Sequence, residues 1–331
     1  MCEDIYSETN NIAFFATLPN KKEIFMRTPA TINQFSTYLA LATAIILWGV
    51  AFVAVKIALT VLSTVSLVFI RFTLAAIIFV VLFAFFRVPK FTLQEHGKLL
   101  CLALFEPGLY FFFETLGLNY ISAAKASLII ATVPLAVLIL AGLILREKVT
   151  VNGLIGIFIS LLGISMLIIG EPTFSLSMQG SFIGDICMFA AVFAAAIYMI
   201  LARHLGNKHS AFGITSMQII YAAFLYIPVF FLFAEDLSLD DFNGKIIIAL
   251  SFLVFVTIVA FLCYNFALTR LPASHAAISV NGIPVVTAIC AWIVLGEMLT
   301  TIQIIGGGLV LLSVVITNLD SKLKTAPEMA G

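Results

Sequence analysis

Charge is scarce in this sequence. Of 331 residues only 10% are Asp, Glu, Lys or Arg, split evenly as 17 basic and 17 acidic. Soluble domains carry about a quarter. The even split leaves no basic face for nucleic acid, so no nucleic-acid partner is expected. Cysteine is equally thin. Cys2, Cys101, Cys187, Cys263 and Cys290 stand alone, with no Cys-x-x-Cys pair, which argues against a disulfide framework or a structural zinc site. Gly-x-Ser-x-Gly, His-Glu-x-x-His, an aspartyl-protease pair and a nucleotide-binding loop are all missing, so neither an intramembrane enzyme nor an ATP-driven pump has a motif to rest on. No cofactor and no metal are expected. Residues 1–35 are polar, include a second methionine at Met26 and carry no cleavable leader; they read as a cytoplasmic tail, as do residues 319–331.

Apolar residues fill the space that charge leaves, at 62% of the chain. Ten stretches are long enough to cross a bilayer, which takes about 20 residues of helix: 36–57, 64–86, 97–118, 124–145, 151–170, 181–203, 212–233, 246–269, 273–295 and 301–318. The runs are too long, and alternate too little, for strands.

The chain also repeats itself. Laid over residues 264–316, residues 114–166 match without a gap at 13 of 53 positions, including Pro134/Pro284, Glu147/Glu297, Thr150/Thr300 and Gly156/Gly306. Upstream, at an offset of 147, "RFTLAA" from Arg71 lies over "QIIYAA" from Gln218. Two five-span units follow, 36–170 and 181–318. Five is odd, so the second unit enters the membrane inverted. Placing the N-terminus inside puts 13 Lys and Arg on the inner side and three, Lys56, Lys125 and Lys245, on the outer, a clear positive-inside bias. The expected fold is therefore an all-α integral membrane protein of ten helices in two inverted five-helix repeats, with both termini cytoplasmic. Inverted repeats suit secondary transporters, whose halves rock about a central site.

In "LWGVAFVAVKIAL" (47–59), "IRFTLAA" (70–76) and the twice-used Glu-x-x-Thr segment at 147–150 and 297–300, the chain resembles the drug/metabolite transporter superfamily, specifically its ten-span EamA group, over about residues 36–318. The resemblance implies a ten-helix carrier in the plasma (inner) membrane, of a kind that exports amino acids or other small metabolites or, in eukaryotic branches, exchanges nucleotide-type substrates. It says little about substrate, and "EPGLYFFFE" departs from the general pattern.

That departure is the most informative stretch. Glu106, Tyr110 and Glu114 recur every four residues in span 3 and drift only about 80° around an ideal helix. A charge at bilayer centre costs at least about 3 kcal/mol, so these side chains are expected to face a wet interior. Burial favours the neutral form of a carboxyl, and a carboxyl that loads and releases a proton is what coupled transport needs. It equally binds a substrate ammonium. Arg71, the only arginine well inside a span, is expected either to pair with Glu114 or to meet a substrate carboxylate. Trp48, Tyr198, Tyr264 and Asn265 would complete the pocket wall, with Asn281 and His275 as polar candidates in repeat 2. Pro107, Pro134 and Pro284 read as hinges, since a proline inside a helix frees a carbonyl four residues back. Lys125, at a span end, is expected to snorkel toward the surface. Gly156, Ser160 and Gly163, with Gly306–Gly308, form small-residue stripes for close helix packing, including a homodimer contact.

The leading expectation is a secondary active transporter of small polar metabolites, most simply an amino acid or amine exporter working by alternating access with proton coupling. Multidrug or cation efflux by proton antiport is the alternative within transport, and a non-transport intramembrane enzyme or scaffold the alternative outside it. The expected partners are a small-molecule substrate and the lipid bilayer.

Overall fold

A computed structural model describes residues 34–86, 89–144, 151–170, 180–202, 209–234, 242–268 and 280–323. Every regular element among them is helical. The chain runs α1 (Gln34–Ala58), α2 (Thr64–Leu82), α3 (Leu93–Ala103), a wide π-type turn (Leu104–Leu109), α4 (Tyr110–Leu118), α5 (Ala123–Ile130) and α6 (Val133–Ile144). It continues through α7 (Val151–Ile169), α8 (Ser181–Ala202), α9 (Ala211–Phe233), α10 (Gly244–Leu268), α11 (Ile283–Leu295) and α12 (Thr301–Leu323). Among the described residues, eight helical stretches, with α3 to α4 and α5 to α6 each counted as one, are long and apolar enough to cross a membrane; two shorter apolar segments, Ile283–Leu295 (α11) and Thr301–Thr317 within α12, bring the number to ten.

Short polar side chains set the helix starts. Ser63, Ser122 and Ser210 each accept the backbone N–H three residues on, at 3.3, 3.1 and 3.1 Å. Thr92 and Glu95 form a reciprocal capping box at the start of α3, and Thr300 with Gln303 repeats it for α12. Each such cap stabilises its helix by about 1 kcal/mol. Gly296 ends α11 in the left-handed region, at φ 67°, where a side chain would be strained.

Packing follows the repeat. The counterpart spans touch: α2 lies on α9, α5 on α11, and α7 on α12. Two of these pairs, α2 with α9 and α7 with α12, run antiparallel. Along α2, Phe69, Phe72 and Phe79 meet Phe230, Tyr226 and Phe212 in turn, one series rising as the other falls. A Cβ on Gly156 would strike Thr317 and Ser313, and one on Gly163 would strike Gly306 and Val310. Antiparallel counterparts are what inversion requires. The small-residue stripe of span 5 is thus used inside the chain, letting α7 and α12 approach closely.

The spans are less continuous than a run of apolar letters suggests. Helix α5 ends where Ala131 and Thr132 turn their N–H groups to Ser127 and Ile129. Pro134 is therefore the second residue of a new helix, and Pro284 holds the same place in α11, after a turn at Asn281 and Gly282. A proline there has no intrahelical hydrogen bond to lose. The expectation of mid-helix prolines is corrected to helix restarts at equivalent points of the two repeats.

Lys125 also departs from expectation. It does not reach the surface; its side chain is fully buried, with Nζ 3.0 and 3.1 Å from the two oxygens of Asp185, itself 2% exposed. The first turn of α5 packs against α8 too closely for water to reach the ammonium, so a carboxylate replaces the water. The repeated Glu-x-x-Thr segment has a structural task in its second copy. Glu297 Oε2 accepts the N–H of Ala123 at 2.8 Å, Oε1 lies 3.9 Å from Lys56, and Thr300 donates to Gly170 O. Lys56 also donates to the carbonyls of Leu118 and Ile121. The first copy, 147–150, lies outside the described residues.

Candidate functional site

Span 3 is broken at its carboxyl. Pro107 has no N–H, and Glu106 takes an extended conformation (φ −142°, ψ 116°) between two helical segments; the Glu106–Pro107 peptide is cis. Regular helix geometry therefore does not relate Glu106 to Tyr110 and Glu114 as their spacing predicts. The three side chains nevertheless face one cavity. Its volume is about 70 Å³. At 10–15 Å³ per water centre that is about five to seven waters, roughly 150–210 Å³ of displaced liquid, the size of one amino acid.

The cavity draws on both repeats. Trp48, Phe52 and Val55 come from α1, Arg71 from α2, and Glu106, Tyr110, Phe111 and Glu114 from span 3. Ile130 and Val133 flank the restart in span 4. Repeat 2 adds Tyr198 and Met199 from α8, Tyr264 from α10, and Val280 with Ile283 beside the α11 restart. Seven of the residues singled out from sequence (Trp48, Arg71, Glu106, Tyr110, Glu114, Tyr198 and Tyr264) thus share one space.

Their contacts differ from those expected. Glu114 is 5% exposed, and its Oε1 accepts from the Tyr110 hydroxyl at 3.3 Å. Arg71 does not form the ion pair with Glu114. Its Nε donates to Thr257 Oγ1 at 2.6 Å, and the guanidinium lies 4.6 Å from the centre of the Phe111 ring. The near neighbour across α10 and the aromatic face take the groups that a carboxylate would otherwise engage. Arg71 Nη2 is buried without a hydrogen-bond partner among the described residues. Trp48 is in the same position: its ring packs 4.9 Å from Tyr264 and its Nε1 is buried and unpartnered. An unmet buried donor costs about 1–3 kcal/mol, so two of them on residues lining one cavity call for an acceptor.

Asn265 does not belong to the wall. It is buried and donates to Thr215 Oγ1 at 2.7 Å, tying α10 to α9. Asn281 sits between Val280 and Ile283 with both side-chain polar atoms buried and without a partner among the described residues, but does not itself line the cavity. His275 lies outside the described residues. No group of three or more His, Cys, Asp or Glu side chains is gathered among the described residues.

Two residues at the break were not singled out. Gln218 Nε2 donates to Glu106 O at 2.8 Å, and the Tyr226 hydroxyl donates to Gly108 O at 2.6 Å and is 3.2 Å from Pro107 O. Both come from α9. The repeat offset that aligns Gln218 with Arg71 was the available signal; nothing in the sequence marks Tyr226.

Comparison with known proteins agrees with this architecture. A model of the EamA-like transporter family matches residues 35–169 and again 182–319. An "uncharacterized transporter" of Archaeoglobus fulgidus is 30% identical over 280 residues, covering 84% of this chain and 97% of its own. The "uncharacterized transporter YyaM" of Bacillus subtilis is 28% identical over 253 residues, 74% of this chain and 81% of its own. A solved crystal structure superposes with a TM-score of 0.62 over 88% of this chain and 99% of its own at 16% identity, a likeness of fold. The family model covers both halves of a multi-pass helical membrane chain whose named relatives are transporters, and the protein belongs to the EamA-like transporter family.

Proposed function

We propose that the protein is a secondary active transporter that exports a small amino acid or amine-type solute by alternating access, in the plasma (inner) membrane with both termini cytoplasmic. The observation that carries this reading is the polarity of the cavity. Arg71 and Trp48, which each carry a buried N–H without a partner among the described residues (Nη2 and Nε1), line the same cavity as Glu106, Glu114 and the aromatic rings. A solute with a carboxylate and an ammonium on an apolar body meets all three. The cavity volume suits one amino acid and is tight for a large drug.

Purified protein is titrated with L-phenylalanine and with phenethylamine, which lacks the carboxylate, and binding is read as a rise in melting temperature. Both are expected to stabilise the wild type. Arg71→Gln is expected to lose the amino acid and keep the amine; Glu106→Gln is expected to lose both. If neither compound binds the wild type, or if Arg71→Gln weakens both equally, this assignment of the cavity is wrong.

The second reading, monocation efflux by proton antiport, rests on a count of charge. Two carboxyls face one guanidinium, which leaves room for one further positive charge, held as a proton or as the solute's ammonium. Binding of phenethylamine in weak buffer should then release a proton. Binding with no proton release removes the antiport reading and leaves the first one standing.

A further inference from the structure

The two repeats treat one structural position differently. Arg71 in span 2 and Gln218 in span 7 are repeat-equivalent, and each reaches across to the other repeat: Arg71 to Thr257 in α10, Gln218 to the backbone of Glu106 in span 3. The receiving spans differ too. Helix α10 is continuous over 25 residues, whereas span 3 is broken at Glu106. The break exposes carbonyls that apolar surroundings cannot satisfy, and an unsatisfied carbonyl in a membrane interior is expensive. Gln218 and Tyr226, two turns apart on α9 and 0% and 4% exposed, supply the missing donors on either side of Pro107. Gln218 also lies against Tyr198, a cavity residue.

We propose that Gln218, with Tyr226, is a positioning residue of the cavity: it fixes the broken segment so that the Glu106 carboxyl faces the solute, and by being neutral it leaves that carboxyl free. An arginine in the same place, as repeat 1 has at Arg71, would put a guanidinium on the residue whose carboxyl must stay available. It would lock Glu106 in an ion pair that neither a proton nor an ammonium displaces easily. This inference rests on the reading of the cavity as the solute site, and its test separates the two.

The probe is dicyclohexylcarbodiimide, an apolar reagent that modifies carboxylic acids in membrane interiors and needs no knowledge of the solute. Glu114 is the internal reference. It lies in α4, beyond the break, hydrogen-bonded to Tyr110, so the ratio of label at Glu106 to label at Glu114, read by mass spectrometry of peptides from detergent-solubilised protein, corrects for folding and reagent access. Both glutamates are expected to label in the wild type. Gln218→Arg is expected to lower the Glu106 to Glu114 ratio about ten-fold, the order of one charge-assisted hydrogen bond. Gln218→Leu and Tyr226→Phe, which remove donors without adding charge, are expected to lower it several-fold; Tyr226→Phe deletes a single oxygen and serves if the larger changes fail to fold. An unchanged ratio in these variants, or equal changes at both glutamates, overturns the positioning role and leaves the cavity reading intact. Absence of label at Glu106 in the wild type overturns the cavity reading itself.

Discussion

Lys125→Met is the most direct probe of how the two repeats are joined. The change removes an ammonium that is fully buried and sits 3.0–3.1 Å from both oxygens of Asp185. What remains is a carboxylate 2% exposed, with its closest charge gone. Breaking a buried pair from one side costs about 3–5 kcal/mol, because the surviving charge keeps its desolvation penalty and loses its compensation. Removing both charges costs far less, since a Met–Val pair of similar total volume has no charge to solvate. Lys125→Met is therefore expected to lose about 3–5 kcal/mol, and Lys125→Met with Asp185→Val to recover most of it. The assay is equilibrium unfolding in detergent by denaturant, with wild type, both single variants and the double. If the double variant loses as much as the two single changes added together, the pair is not the unit that holds span 4 to span 6. If Lys125→Met is neutral, the ammonium was never desolvated and the packing of α5 on α8 is misread.

Three further changes probe the same framework. Gly163→Ala is expected to lower stability by about 1–3 kcal/mol, because the new methyl would stand 2.7 Å from the carbonyl of Gly306; Gly97→Ala, where the site is open, is the matched control and should be stable or slightly more so. Glu297→Ala removes the side-chain cap from Ala123 N–H and the contact with Lys56, and should lower the melting temperature by an amount corresponding to about 1–2 kcal/mol, while Glu297→Gln, which still accepts a hydrogen bond, should keep more than half. Asn265→Ala, by breaking the bond to Thr215, is expected to cost about 1–2 kcal/mol and to leave phenethylamine binding unchanged; a loss of binding at wild-type stability would return Asn265 to the cavity wall.

The architecture was legible because membrane insertion writes it in the coarsest features of a sequence. Run length, lysine and arginine bias and a gapless internal repeat respond to the bilayer and not to side-chain detail, so ten spans and inversion could be read directly. The cavity residues were legible for a related reason. Glu106, Glu114 and Arg71 are too costly in lipid to point outward, which leaves the interior by exclusion. Partner choice was not legible. Arg71 meets Thr257, 186 positions away, in place of Glu114, and Asn265 meets Thr215; both choices depend on where neighbouring backbones come to rest, which no residue-type rule supplies. Lys125 was misjudged because its burial is imposed by Asp185, on a helix of the other repeat, and a span-end lysine looks the same with or without such a partner. The break at Glu106 was only half visible. Pro107 announced that a hydrogen bond would be lost, but the donors that compensate, Gln218 and Tyr226, are ordinary residues in an ordinary apolar helix.

The two halves therefore share a backbone plan and divide the chemistry. Tyr264 stands where repeat 1 has Glu114, Gln218 where it has Arg71, and α10 is continuous where span 3 is broken. A pair of equivalent halves gives two states of similar energy, which alternating access needs; equivalence of the lining would bind a solute the same way in both and give it no preferred orientation. On the proposed alternating-access reading, charges concentrated on repeat 1 hold the solute to one half, while repeat 2 contributes the aromatic wall of Tyr198 and Tyr264. Transferring the acid tests this division. Glu114→Tyr with Tyr264→Glu keeps the composition of the cavity and moves one carboxyl to the other half. If only the summed charge matters, phenethylamine binds and is transported as before. If the division matters, the double variant binds the amine with altered affinity and exchanges it more slowly, by at least about ten-fold if a single charged contact is misplaced.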